Sequence, residues 1–266
     1  MGHGAAFFDL DKTVIAKSSA LAFGRPFYRD GLITRRDVVK AAYAQLLFRI
    51  GGADDNQIAR IRDYLAALCK GWRVEQVNQI VAETLTELIH PYVYAEAAAL
   101  IAEHQAADRD VVLVSASGDE MVRPIGALLG VSDVIATRMV VEDGRYTGDV
   151  DFYAAGPHKV TAVRELSDQR GYDLSECYAY SDSISDVPLL ELVGNPFAVN
   201  PDRALRRAAA ERGWPVLAFR NPVPLGRRLR DRPAVPVAAA AVGVGVGVAV
   251  GLAWYGRHRR ARAATV

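Results

Sequence analysis

After His90-Pro91 the chain alternates short apolar runs with segments of helical rhythm, and that alternation constrains its fold more than any other feature. Asp110 to Ser115 (Asp-Val-Val-Leu-Val-Ser) is a continuous apolar run, as is Cys177 to Tyr180, and Phe197 to Val199 is a shorter one. Asp133 to Ile135 and Met139 to Val141, with Gly144 and Tyr146 beyond, read as short strands with a turn. Ala95–Gln105, Asp119–Leu129, Lys159–Gln169, Val187–Val193 and Ala204–Arg212 have the helical spacing between them. Apolar strands alternating with helices predict a parallel sheet covered on both faces. Residues 5 to 9 add one more such strand at the start. Ligands of these sheets bind beyond the carboxyl ends of the strands. Asp9, Ser115 and Asp182 each stand at or just after such an end, so one site would gather all three.

From Ser18 to about Tyr94 the character is helical, with Val38, Ala41, Ala42, Gln45, Leu46 and Phe48, then Ile58, Ile61, Leu65 and Leu68, at helical spacings. Gly51-Gly52 and Gly71 mark the breaks. No strand signal interrupts this stretch, so it reads as a helical insert. A chain of 266 residues has room for one ordinary domain and such an insert. The expected division is a core of 1–15 and 95–220, a cap of 16–94, a Pro/Arg-rich linker of 221–236, a membrane helix of 237–255 and a basic tail of 256–266.

The net charge of +1 gives no electrostatic reason to expect nucleic acid as a partner. Cys69 and Cys177 lie outside any metal-ligand spacing and read as free thiols of a reducing compartment, although one disulfide is formally possible. The N-terminus has neither the basic start nor the apolar run of a secretory signal, which places the catalytic body in the cytoplasm.

The end of the chain has a different composition. Prolines at 222, 224, 233 and 236 flank arginines at 227, 228, 230 and 232. Val237 to Tyr255 then carries no charge, and as a helix its length would be roughly 28 Å, close to a hydrocarbon core of about 30 Å. Trp254-Tyr255 are interfacial aromatics, and Arg257, Arg259, Arg260 and Arg262 follow. Gly243, Gly247 and Gly251 have the spacing that lets membrane helices approach closely, so self-association through this helix is expected as well. A flexible Gly/Ala/Val tail is the alternative. The expectation is a single-pass anchor in the cell membrane with the catalytic part cytoplasmic; arginines flank both ends, so the orientation stays open.

The chemistry is concentrated in four short segments. Cleaving a phosphate ester with a carboxylate needs a nucleophile, a proton donor for the leaving oxygen and positive charge around the phosphoryl group. Asp9-Leu10-Asp11-Lys12-Thr13 offers two acids on alternate residues of an extended segment, which project the same way. Asp9 would attack phosphorus, Asp11 would protonate the leaving alcohol and then activate water, and the Thr13 hydroxyl would support the phosphoryl geometry. Ser115, followed by Ala116-Ser117-Gly118, offers a hydroxyl and free amides at a helix start. Lys159 begins a helix and could neutralise both phosphate and Asp9. Asp182-Ser183-Ile184-Ser185-Asp186 offers acids suited to Mg2+. Taken singly, these segments are also a solvated turn, a helix cap, a surface lysine and a loop. Their joint order argues for a site.

In that order the four segments resemble the haloacid dehalogenase-like (HAD) superfamily of phosphohydrolases, over residues 5 to about 220. The resemblance implies an α/β, doubly wound parallel-sheet core with an inserted all-helical cap, here followed by the C-terminal transmembrane helix. It implies Asp9 as nucleophile and Asp11 as acid/base, with Ser115 and Lys159 on the transferring phosphoryl group. It also implies Mg2+ held by the Asp9 carboxylate, the Asp11 backbone carbonyl and Asp182, with Asp186 supporting through water. The insert looks like the cap of subfamily IB, to which phosphoserine phosphatases belong, and Asn195 to Asp202 and Gly213-Trp214-Pro215 are similar to IB hydrolases of unassigned substrate.

One departure stands out. Phosphoserine phosphatases carry a glutamate shortly after the first motif to bind the substrate amine, where this chain has Ala16-Lys17-Ser18-Ser19 and no acid before Asp30. The expected substrate is therefore a small-molecule or lipid phosphate rather than phosphoserine; Lys17 and Arg25 would suit a neutral or anionic leaving group, with solvated surface charge as the favoured alternative reading. A phosphotransferase using the same aspartyl-phosphate, and a non-catalytic membrane adaptor, are the alternatives.

Overall fold

Asp110–Gly118 (β2) is paired on both of its edges, and the sheet grows outward from there in the computed structural model, which describes residues 4–34, 63 and 66–222. Ala5–Asp9 (β1) lies parallel to β2 with Asp9 opposite Val114, and parallel to Tyr178–Ser181 (β5) with Phe8 opposite Tyr180. Asp133–Glu142 (β3) and Arg145–Phe152 (β4) extend one side; Asn195–Val199 (β6) and Val216–Leu217 (β7) extend the other, giving the order β4-β3-β2-β1-β5-β6-β7. The chain winds outward from β1 in one direction and then in the other, so the crevice where strand order reverses opens around the carboxyl ends of β1, β2 and β5.

Every residue of β1 is buried, and successive side chains enter opposite layers: Ala6 and Phe8 join one hydrophobic cluster, Ala5 and Phe7 the other. The parallel α/β core expected from the sequence is present, with one difference at its edge. Residues 133–142 form one strand rather than two, because β2 pairs with its first half and β4 with its second. β4 is antiparallel to β3, joined through Asp143-Gly144, both at positive φ (49° and 71°), the backbone of a type I′ hairpin turn. The expected helix at 187–193 is shorter, Val187–Leu190, and the stretch that follows the last helix contributes only the two residues of β7.

Between β1 and Ala95–Ala106 (α4) the regular elements among the described residues are helices, joined by turns and isolated bridges. Ser19–Ala22 (α1), Gly24–Arg29 (α2) and Val74–Ile89 (α3) lie there. In α3 Val77, Ile80, Val81 and Thr84 are buried at the spacing of one helical face. That helix packs on Asp119–Leu128 (α5), and Tyr146 of β4 exchanges backbone hydrogen bonds with Gly71 and Trp72. The helical repeats at residues 38–62 and at 64–65 lie outside the described residues, as does Val237–Tyr255. Among the described residues no helix is long and apolar enough to cross a membrane. Both cysteines are free thiols; Cys177 is buried and Cys69 half-buried.

His104 closes the core behind β1. Arg109 donates to its Nδ1 (2.8 Å), so Nε2 carries the proton and donates to the Tyr180 hydroxyl at 2.9 Å. Tyr180 is stacked between Phe8 and Phe197, with centroids at 4.3 and 5.0 Å. Burial first, and the Arg109 charge second, lower the imidazole pKa from 6.5 to about 4. Between those two values the unfolded chain binds the proton that the folded chain excludes, so stability falls as pH drops through that window, by on the order of 3 kcal/mol in full. Denaturant unfolding followed from pH 7 to pH 4 should show this slope, and His104→Gln should flatten it whatever its effect at pH 7.

Candidate active site

The segment after β1 turns at once. The Val14 and Ile15 amides both donate to the Leu10 carbonyl (2.9 and 3.0 Å), and Lys12 adopts a left-handed φ of 61°. Asp9 lies at the mouth of the turn, 7% exposed. Thr13 is fully buried inside it, and its hydroxyl has no hydrogen-bond partner.

Lys159 comes from the first turn of Pro157–Arg170 (α6), a helix started by proline at its first position. It is 3% exposed, which removes the reading of a surface lysine. Its Nζ donates to Asp9 Oδ1 at 2.7 Å and to Asp186 Oδ2 at 2.9 Å, and the Ser181 hydroxyl donates to that same Asp186 oxygen at 2.7 Å. Burial alone would lower the lysine pKa, but the Asp186 and Asp9 carboxylates outweigh it and hold the ammonium charged. Burial raises Asp9 well above the usual carboxylate range; Lys159 opposes this, while Asp186 and Asp182 add to it. One cation thus serves more than one buried acid.

Asp11 faces the other way. The Ser19 amide donates to Asp11 Oδ1 at 2.9 Å, and the Ser117 hydroxyl lies 3.4 Å from Oδ2. The Ser19 hydroxyl donates to Ser117 Oγ at 2.7 Å, which locks the pair. Burial raises the Asp11 pKa, and the bonds from Ser19 and Ser18 counter it. A carboxyl that retains its proton more readily than usual can give it up to a leaving oxygen. Ser115 is 2% exposed at the end of the straight part of β2, and its hydroxyl accepts from the Ser117 amide at 3.2 Å.

Asp182 follows β5 on a loop held by Asp202, which accepts from the Ile184 amide (3.0 Å) and the Leu205 amide (2.7 Å) and donates its own amide to the Asp182 carbonyl (2.8 Å). Burial raises the Asp182 pKa to about 6; the nearby Lys12 ammonium, 3.9 Å away, counters this in part. Among the described residues no three acidic, imidazole or thiol side chains form a ready cage for a metal ion. The donor chemistry still fits Mg2+, which takes one or two carboxylates and keeps several waters. Asp9 and Asp182 are two buried carboxylates whose mutual repulsion a divalent cation would relieve, while Asp186 is already occupied by Lys159 and Ser181.

The model of the haloacid dehalogenase-like hydrolases matches residues 6–191, a span that contains Asp9, Asp11, Ser115, Lys159, Asp182 and Asp186. The chain belongs to this family. Among its relatives, a protein of Streptomyces azureus called inhibition of morphological differentiation protein is 60% identical, covering 98% of this chain and 95% of its own. A protein of Mycobacterium tuberculosis described as a probable phosphatase is 54% identical over 96% of this chain and 89% of its own. A solved protein of unknown function from Bordetella pertussis is 28% identical with a TM-score of 0.72, covering 82% of this chain and 99% of that one. Family and phosphatase-named relatives agree on the kind of enzyme: this HAD hydrolase is a phosphatase.

Four residues of the HAD site were not singled out in the sequence. Ser19, Ser117, Ser181 and Asp202 each hold one of the expected acids or its loop, and a polar residue within a few positions of a motif acid is the one signal that marks them. Lys17 lies with its Nζ 3.6 Å from the centre of the Tyr92 ring, and Arg25 is exposed, the solvated-charge alternative for that residue. Replacing Lys159 by Met should strand Asp9 and Asp186 without their cation and cost about 3–5 kcal/mol at pH 7. Denaturation of that variant at pH 5 should recover part of the loss, because protonation then neutralises the acids.

Proposed function

We propose that the chain is a Mg2+-dependent phosphomonoester hydrolase working through an aspartyl-phosphate on Asp9, with a small-molecule or lipid phosphate as substrate. The carrying observation is the division of labour between the two acids: Lys159 holds Asp9 Oδ1, while the serine pair holds Asp11 away from that lysine. Asp9 Oδ2 attacks phosphorus, the bond from phosphorus to the leaving oxygen breaks, and Asp11 passes its proton to that oxygen. The Asp11 carboxylate then takes a proton from water, whose oxygen attacks the phosphorus and frees Asp9 and inorganic phosphate. Lys159 and the Ser115 hydroxyl balance and orient the phosphoryl oxygens. Mg2+, held by Asp9, Asp182 and the Asp11 carbonyl, would supply further positive charge to the phosphoryl group. On this reading residues 16–94 act as the cap over the site.

A membrane tether through Val237–Tyr255 is part of the proposal, supported by the length of that uncharged run and its Trp-Tyr and arginine border. The glycine spacing within it supports self-association. Transfer of the phosphoryl group to an alcohol instead of water would use the same residues, and product analysis with added alcohols separates the two.

Phosphate release from a panel of esters with Mg2+ should be detectable for the intact protein and fall at least about 10³-fold in Asp9→Asn. Residual turnover close to the parent rate would remove Asp9 as nucleophile. Deleting residues 234–266 should move the protein from the membrane fraction to the supernatant; unchanged partition would remove the tether.

A further inference from the structure

The insert joins the core through two chain segments, and they lie side by side. The Ala16 amide donates to the Tyr92 carbonyl at 2.8 Å and the Tyr94 amide to the Val14 carbonyl at 3.0 Å, with Ile15 and Val93 bridged antiparallel between them. The outgoing segment follows directly on Asp11 and leads to Ser19, whose amide holds that acid. A third piece of chain lies along this pair. Tyr94 is bridged antiparallel to Pro222, and the Ala95 amide donates to the Asn221 carbonyl at 2.9 Å. Glu96 completes the grip: its Oε1 accepts from the Arg220 amide at 3.1 Å and from Asn221 Nδ2 at 3.0 Å.

The same piece of chain is fastened at its other end to the loop behind Asp182. Asn200 has a left-handed φ of 43°, a conformation asparagine tolerates better than most residues. Its amide donates to the Leu217 carbonyl at 2.9 Å, its Oδ1 accepts from the Phe219 amide at 2.9 Å, and its Nδ2 donates to the Phe219 carbonyl at 3.1 Å. Two residues on, Asp202 holds the Asp182 loop through the Ile184 amide and the Asp182 carbonyl. Phe219 is buried and meets the Tyr94 ring edge-on, with centroids 5.9 Å apart. A segment that needed only to be anchored could have continued beside β6. Instead regular pairing with β6 stops after the two residues of β7, and 218–222 crosses to the connections of the insert. Glu96 stands in the first turn of α4, where an acid favours the helix by itself, but that role asks for no partner at Asn221.

We propose that Glu96 and Asn221 are positioning residues for the phosphatase reaction: their clasp makes 217–222 a strap that fixes the insert's connections, and with them Asp11, relative to the loop bearing Asp182. The proposal rests on the roles given above to those two acids. The sheet positions Asp9 through β1 and Asp182 through β5, whereas Asp11 lies past the end of β1, on the turn that leads into the insert. The strap is bonded to the insert's return segment and to the support of Asp182, so it sets their spacing without passing through the sheet. A displacement of about 1 Å in a reacting group can cost about 10²-fold in rate, which lets a clasp on a remote segment act on turnover.

The experiment follows hydrolysis of p-nitrophenyl phosphate by the full-length protein with Mg2+, at a temperature well below the melting point of every variant. Glu96→Leu removes the acceptor of the clasp, and Asn221→Asp sets one carboxylate against another; each should lower kcat by about tenfold. Glu96→Gln loses the same charge from the start of α4 but keeps the Oε1 acceptor, and its kcat should stay close to the parent's. An unchanged kcat in either of the first two, with only the melting temperature lowered, overturns the proposal. So does a Glu96→Gln as slow as Glu96→Leu, which would assign the effect to the charge at the helix start. Should Glu96→Leu not fold, Asn221→Ala, which deletes the donor alone, takes its place. If the parent protein releases no phosphate, the reaction reading fails separately, and hydrogen exchange decides the clasp. Faster exchange in Glu96→Leu at the Ala16 and Ile184 amides then upholds it, and a change confined to 219–222 overturns it.

Discussion

Lys159 stands between Asp9 and Asp186 at 2.7 and 2.9 Å, and the arrangement of the site depends on that bridge. The ammonium is almost wholly removed from water, a condition that ordinarily favours loss of its proton. Two carboxylates reverse that tendency, and in doing so each becomes tolerable in a buried position. The bridge also joins three separate elements: the end of β1, the start of α6 and the turn after β5. No local propensity brings these together. They meet because the sheet places β1 beside β5 and α6 begins at the same end of the sheet.

A single cation shared among acids leaves the site with an excess of negative charge. Asp182 is raised to about 6 by burial, and Asp9 is raised further by its acidic neighbours. A cluster in that condition attracts positive charge, and the phosphoryl transfer assigned to it requires such charge around the phosphate. A divalent ion bound there, as proposed above, would relieve the electrostatic discomfort of the folded protein.

Much of this was legible in the sequence. The apolar runs around β1, β2 and β5 are strands buried on both faces, a pattern that survives any detail of packing, and Asp9, Ser115 and Asp182 are at their ends because strands stop where polar groups must be solvated or bonded. Edges were less legible. β4 pairs antiparallel because the Asp143-Gly144 turn reverses the chain, and the run of 133–142 became continuous only by finding partners on both sides. Side-chain partners were the least legible. Ser19 and Ser117 are 98 positions apart, and neither has a spacing that reveals the other.

The bond from the Ser19 amide to Asp11 has a mechanical side. Ser19 is the first residue of α1, so the insert grips the acid by its own backbone where it leaves the core. The same residue reaches Ser117 on β2 with its side chain. Asp9 is held from another direction, by Lys159 of α6. The two acids of the first motif are thus tied to separate elements, Asp9 to α6 and Asp11 to the start of α1.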